Sequence, residues 1–186
     1  MRIYFLDQEK RFLKHLEELK AVPVMRFRKD SLREKVTTLE LSGKRFADVD
    51  QQVLMDYHIF PPYIMSFLAQ WSAEGREMRV GDTIVQQVFL PPHRLISQKI
   101  IFGVRVNRIF RERTVLGFSY DTLDGHVERG ESSFTLEETA GGLRFIVRTF
   151  SEPSNNFVKW LGPFFALPYQ KFCTKQALRH VKSQLR

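Results

Sequence analysis

The chain has 186 residues, 43% hydrophobic residues and a net charge of +8, which fits one domain with room for a short extension. Its single cysteine excludes an intramolecular disulfide and a cysteine-based metal site, and it suits the reducing cytoplasm, where we expect the protein. Charge follows the N-terminal apolar residues too early for a signal peptide, and the apolar run at 160–169 is too short to span a bilayer.

Residues 1–42 are predicted to form a helical extension packed on the main domain. An amphipathic helix is expected over residues 7–20, because Phe12, Leu16 and Leu19 recur at helical spacing. A second short helix is expected over residues 31–41, where Ser31 and Glu34 have the spacing of a capping box. Both helices would carry apolar stripes, which favours packing over a free arm.

The main domain is predicted to run over residues 43–186. Residues 52–60 indicate a first strand, and Pro61-Pro62 predicts the start of a helix that ends near Gly75. From Thr83 onward apolar residues alternate with polar ones. This period predicts strands over 83–90, 95–111, 113–122, 131–138 and 143–151. Their short connections predict an antiparallel meander.

The last segment, residues 154–185, reads as a helix whose first part is broken by Pro163 and Pro168. The order of elements therefore predicts an α+β fold. In this fold, one face of a curved antiparallel sheet wraps around a long C-terminal helix and is buried by it.

A string of landmarks in residues 61–186 is typical of one protein family. The landmarks are Trp71, Gly81, Gly117-Phe118, Tyr120, Thr122-Leu123, Gly125-His126, Gly130-Glu131, Phe134, Phe145, Phe150-Ser151, Pro153 and Leu161-Gly162-Pro163. In this order the chain resembles uncharacterised protein family 0548, which belongs to the START and Bet v 1-like superfamily with its helix-grip fold. Asp124 stands where that family often has proline, a departure that affects the turn more than the fold.

The resemblance implies a cavity between the sheet and the C-terminal helix. Relatives in the superfamily hold lipids, hormones or polyketides there, and some of them are enzymes while many only bind. We therefore expect an apolar or amphipathic small molecule as ligand, with no cofactor and no metal. The residues expected to contact it are Phe118, Tyr120, Thr122, His126, Phe145, Val147 and Phe172. The 17 phenylalanines leave open whether the cavity is empty or filled by side chains.

His126 is the residue most suited to chemistry, since Asp121, Asp124, Glu128 and Glu131 flank it. One hypothesis is a cyclase- or hydrolase-type enzyme that uses His126 and a neighbouring carboxylate as acid and base. The structural alternative is a histidine that caps a turn. Likewise, Tyr120 is either a ligand contact or a core tyrosine whose hydroxyl meets the backbone.

The C-terminal tail supports a third hypothesis, a peripheral interaction protein. No acidic residue follows Glu152, so the basic tail is suited to an anionic membrane, and less so to nucleic acid. The apolar residues Trp160, Leu161, Phe164 and Phe165 indicate a lid, a membrane-touching loop or a plug over the core. A solvated helix face is the plainer interpretation of the charge.

Overall fold

A curved antiparallel sheet forms most of the molecule in the computed structural model, which describes residues 2–154 and 167–185. The strands are β1 (Arg2–Tyr4), β2 (Arg33–Ser42), β3 (Met65–Ala69), β4 (Thr83–Leu90), β5 (Gln98–Glu112), β6 (Val115–Thr122), β7 (Glu128–Thr139) and β8 (Gly142–Pro153). The helices are α1 (Phe12–Lys20), α2 (Gln52–Met55), α3 (Gln70–Ala73) and α4 (Leu167–Gln184). Among the described residues, no helix has both the length and the apolar character that crossing a membrane requires.

The strands lie in the order β2-β8-β7-β6-β5-β4-β3, and every pairing is antiparallel. β1 pairs with β5 at Lys99–Ile101, whereas β6 pairs with β5 only from Val104 onward. β1 therefore continues the line of β6 along the same side of β5. The meander β4 to β8 agrees with the sequence prediction, and each strand boundary differs from the predicted one by three residues or fewer.

The predicted helix over residues 31–41 is wrong, because this segment forms β2. Ser31 lies in a 3-10 turn and donates its hydroxyl hydrogen to the Arg28 carbonyl, so no helix begins there. The β-branched run Val36-Thr37-Thr38 suits a strand, and all ten residues of β2 pair with β8. Residues 1–42 thus contribute two strands to the sheet, besides the predicted first helix.

Two further predictions between residues 52 and 75 are also wrong. The predicted strand over 52–60 contains the short helix α2, and most of the predicted helix after Pro61 is β3 followed by the single turn α3. β3 has no polar alternation because it is covered on both faces: Phe67 packs in the main core, and Leu68 packs against α1. A strand covered on both faces carries no period of two.

Two layers cover the sheet. On one face, here called the inner face, the main core contains Phe118, Phe134 and Phe145 from the strands. Ala177 and Val181 of α4 join this core at helical spacing. On the opposite, outer face, Phe12 and Leu16 of α1 pack on β4 and β5 in a second, smaller core.

Candidate functional site

One half of the inner face is apolar, and its side chains are buried from solvent. Phe118, Phe134 and Phe145 have almost no exposed surface. The ring of Tyr57 stands over this half, with its centroid 5.1–6.3 Å from five aromatic rings. Those rings belong to Phe60, Phe67, Phe118, Tyr120 and Phe134. Tyr57 has a left-handed backbone conformation (φ 66°). Because these aromatic rings are in contact and most of them are buried, side chains fill the predicted cavity in this half.

The other half of the inner face, towards the start of β7 and the end of β8, is polar. Cross-strand partners share a face, and the register runs from Lys35 through Thr149 and Ser132 to Tyr120. The side chains of this polar half are Lys35, Thr37, Gln86, Tyr120, His126, Glu128, Ser132, Thr149 and Ser151. Most of them keep partial exposure, in contrast to the closed apolar half.

Tyr57 and Tyr120 meet at the border between the two halves. The buried Gln86 donates from Nε2 to the Tyr57 hydroxyl oxygen at 2.6 Å. Burial raises the pKa of Tyr57 well above its usual value, and the nearby Tyr120 hydroxyl adds to this shift. The pKa of Tyr120 is raised for the same main reason, burial, while hydrogen bonds with Tyr57, Gln86 and Ser132 act against it. Both phenols are therefore neutral hydrogen-bonding groups at pH 7.

The Tyr57→Phe variant is expected to lose about 1 kcal/mol of unfolding free energy, since Gln86 loses a buried acceptor and retains only Tyr120 nearby. Urea unfolding measures this loss. A Tyr57→Phe, Gln86→Leu double variant removes donor and acceptor together and should cost less than the sum of the single changes. Additive losses would show that the 2.6 Å hydrogen bond contributes nothing.

His126 is held in the β6–β7 turn by contacts with Glu128, Phe102 and Ser154. Its Nδ1 lies 3.0 Å from the Glu128 backbone nitrogen and 2.9 Å from the Glu128 carbonyl oxygen. The ring packs edge-on against Phe102 at a centroid distance of 4.1 Å, and the Ser154 hydroxyl donates to the His126 carbonyl at 2.6 Å. Burial lowers the pKa of His126 to about 4, against a smaller opposite effect of the Glu128 backbone. His126 is therefore neutral at pH 7.

Three of the four carboxylates that flank His126 in the sequence have other partners or face solvent. Asp121 lies on the outer face, where it accepts a hydrogen bond from Asn107, and Glu131 pairs with Lys29 at 2.8 Å. Asp124 is exposed in the turn. Among residues 2–154 and 167–185, no ion pair joins His126 to a carboxylate, and no cluster of His, Cys, Asp or Glu side chains could hold a metal.

Glu128 shares the inner face with Ser132, two positions further along the same side of β7. Its side chain is half-buried, and burial raises the pKa of its carboxyl group. The Ser151 hydroxyl and the Lys35 charge act in the opposite direction.

The structure separates the predicted ligand contacts. Phe118 and Phe145 belong to the closed core, and Val147 is partly buried beside it. The Thr122 hydroxyl bonds to the backbone of Gly130 at 3.0 and 3.3 Å, so it stabilises the sheet. Phe172 is 38% exposed and lies off the buried stripe of α4, so the structure does not bring it together with the other predicted contacts.

The sequence interpretation missed Tyr57, Gln86, Ser132 and Thr149. Ser132 and Thr149 had a signal, because they lie two positions from Phe134 and Val147 on strands that were predicted. Tyr57 had none, since nothing local marks it as the residue over the sheet. The predicted lid residues Trp160, Leu161, Phe164 and Phe165 lie outside the described residues.

A separate open depression of about 560 Å³ lies on the outer face of β5 to β8. Its lining includes both cations and anions, among them Lys29, Arg108 and Glu131. In its floor the Ser119 hydroxyl donates to Asn107, which in turn donates to Asp121. Charges of both signs in one open surface give no preference for one class of ligand.

Known proteins resemble this chain in sequence and, separately, in fold. A family described as "Domain of unknown function (DUF1990)" matches residues 14–180. A protein from Deinococcus radiodurans named "UPF0548 protein" is 34% identical over 89 residues. The match covers 46% of this chain and 42% of that relative, less than two thirds of its length. The relative carries the family name that the sequence landmarks predicted.

Solved structures share the fold at low sequence identity. A hypothetical protein from Helicobacter pylori aligns with a TM-score of 0.60 and 11% identity, over 89% of this chain and 98% of its own. The KanY protein aligns with a TM-score of 0.54 and 11% identity, over 82% and 97%. A protein from Mycobacterium smegmatis aligns with a TM-score of 0.51 and 12% identity, over 88% and 98%. At these identities the likeness concerns the fold alone.

Proposed function

We propose that this chain, which belongs to the DUF1990 family, binds an amphipathic small molecule on the polar half of its inner face. One observation carries the proposal: an inner sheet face that is closed core at one half bears accessible polar side chains at the other. A face that only served as core would be apolar throughout, since burying unpaired polar groups costs free energy.

The polar half offers neutral hydrogen-bonding groups around an apolar floor. Ser132 and Thr149 lie opposite each other, with their hydroxyl oxygens 3.4 Å apart, a weak contact that leaves both able to bond a ligand. Tyr120 flanks them in the same cross-strand row. Val88 and Val147 are partly exposed on the same face and supply apolar contact. Such a mixture orients a ligand through few polar contacts on an apolar wall.

His126 and Glu128 set the character of the ligand's polar group. His126 is a neutral imidazole that can bond a ligand through Nε2, and burial removes solvation from the Glu128 carboxyl group. A hydroxyl or amine on the ligand satisfies both, whereas a second carboxylate beside Glu128 is disfavoured by repulsion. We therefore propose a ligand with an apolar body and a hydroxyl- or amine-bearing end.

The same proposal includes the START-like helix grip as the architecture. It is supported by the antiparallel order of β4 to β8 and by the packing of Ala177 and Val181 of α4 on the inner face. In this architecture the helix covers part of the inner face of the sheet, and the ligand lies against the part of that face that the helix leaves uncovered. α4 contributes to the closed half.

The test is binding of N-phenyl-1-naphthylamine, a fluorescent probe with an apolar body and an amine group, together with mass spectrometry of molecules extracted from the purified protein. Thr149→Trp fills the polar half and is expected to weaken probe binding about tenfold or more, as lost burial of a small apolar body predicts. Ser133→Trp places the same bulk on the outer face as the matched control. Unchanged probe binding by a folded Thr149→Trp variant would contradict the proposal.

A further inference from the structure

Four large apolar side chains are exposed together at one corner of the sheet. Phe5 and Leu6 follow β1 and are 79% and 78% exposed. Leu95 and Ile96 lie in the loop between β4 and β5 and are 84% and 76% exposed. An isolated exposed leucine needs no explanation, but a group of such residues marks an interaction site.

The two pairs belong to one surface, because hydrogen bonds join the segments that carry them. The Arg94 guanidinium pairs with Asp7 at 3.2 Å and also with Glu9. In the sheet, Tyr4 pairs with Lys99, so the residues after β1 run alongside the residues before β5. We call Phe5, Leu6, Leu95 and Ile96 the apolar corner.

Unpaired cations lie next to the apolar corner. Arg94 already compensates the two local carboxylates, Asp7 and Glu9. Lys10 and Arg11 lie in the 3-10 turn just before α1, and Lys14 lies in the first turn of α1. All three side chains are exposed. Within the part of the chain that the structure describes, no salt bridge joins any of these three to a carboxylate. Exposed Leu13 lies between Lys10 and Lys14 on this helix surface.

We infer that the apolar corner docks on an anionic lipid bilayer. The four side chains lie on two adjacent segments, and each is more than three quarters exposed. Apolar side chains that enter the acyl boundary, next to cations that meet anionic headgroups, form the usual pattern of peripheral membrane binding. The positive charge of Lys10, Arg11 and Lys14 is opposite in sign to that surface and attracts it.

This docking would place the proposed ligand site close to the membrane. β4 ends and β5 begins at the apolar corner, and the turn with His126 lies at the same end of the sheet. The inference goes beyond the proposed function and does not require it, because binding to lipid vesicles can be measured whether or not the inner face holds a ligand.

The experiment is co-sedimentation of the full chain with vesicles of phosphatidylcholine alone, or with about one third phosphatidylserine. The wild-type chain is expected to bind the anionic vesicles and to lose this binding as salt increases. The Leu95→Ser, Ile96→Ser variant should bind the anionic vesicles at least about tenfold more weakly than the wild-type chain. The matched control is Val80→Ser, an exposed apolar residue ahead of β4 at the opposite end of the sheet, which should bind normally.

Two further variants distinguish the alternatives. Lys10→Gln, Lys14→Gln tests the cations at the corner and is expected to weaken binding to anionic vesicles. Lys175→Gln, Arg179→Gln neutralises exposed cations on α4 and should leave binding unchanged. Failure of the wild-type chain to bind overturns the inference, as does binding that depends on the α4 cations alone. Self-association that the Leu95→Ser, Ile96→Ser change abolishes, without vesicle binding, would identify a second copy as the partner instead.

Discussion

Replacing Gly130 with alanine is expected to lower the free energy of unfolding by about 3 kcal/mol or more. Gly130 has a φ of 150°, a conformation that residues with a side chain rarely adopt. A Cβ atom there would lie 1.9 Å from the Phe150 carbonyl oxygen on the neighbouring strand. The contact is with backbone, so relief requires the β7–β8 pairing to separate. Urea unfolding followed by circular dichroism measures the loss.

Gly141→Ala is the matched control for this change. Gly141 lies in the β7–β8 turn, has no left-handed φ, and a Cβ atom there would meet nothing within 4 Å. Its replacement should alter stability by about 0.5 kcal/mol at most. If both alanine variants unfold at the same urea concentration as the wild-type chain, the close approach of the two strands at Gly130 is refuted.

The second large effect concerns pH, and it originates in His126. Its folded-state pKa of about 4 lies below the ordinary value of 6.5, so the unfolded chain binds a proton more readily. The stability from this group is therefore complete above pH 6.5 and is lost as pH falls towards 4. Between pH 7 and about pH 5, His126 should account for a decrease of about 2 kcal/mol in unfolding free energy.

The His126→Asn variant isolates this contribution. The asparagine amide can occupy the position of Nδ1 beside the Glu128 backbone, but it does not titrate. Other shifted groups, such as His15 and Glu128, remain in both proteins and cancel in the comparison. The difference between the two chains should grow in favour of the variant as pH falls. Parallel stability curves over this range would show that His126 keeps an ordinary pKa in the folded protein.

The meander could be predicted because its strands are covered unequally on their two faces. In β8, buried Leu143 and Phe145 alternate with Arg144, and this period follows directly from the geometry of a strand. β3 could not be predicted in this way, since both its faces are covered and Phe67 and Leu68 are equally apolar. For β2, the capping-box spacing at Ser31 favoured a helix locally. The segment is a strand because its ten residues pair with β8, which lies far away in the sequence.

The candidate site was predictable only in part, for a related reason. His126 and Tyr120 stand out as unusual side chains on a predicted strand and turn. Alternation places Ser132 and Thr149 on the face of Phe134 and Val147, but small hydroxyl residues are common on solvated strands as well. What the sequence does not show is how far the core extends along that face. That depends on Tyr57, whose position is set by the assembled fold.

The pairing of β2 with β8 has a consequence for how the chain folds. β2 is the second strand to be synthesised, yet its partner follows about a hundred residues later, so the sheet gains this edge only when the meander is nearly complete. Until then β2 is an unpaired strand on a nascent chain, open to pairing with other molecules. Its charged residues Arg33, Glu34, Lys35 and Glu40 oppose such aggregation. The same charges that give β2 an exposed, polar edge in the folded protein thus protect it during synthesis.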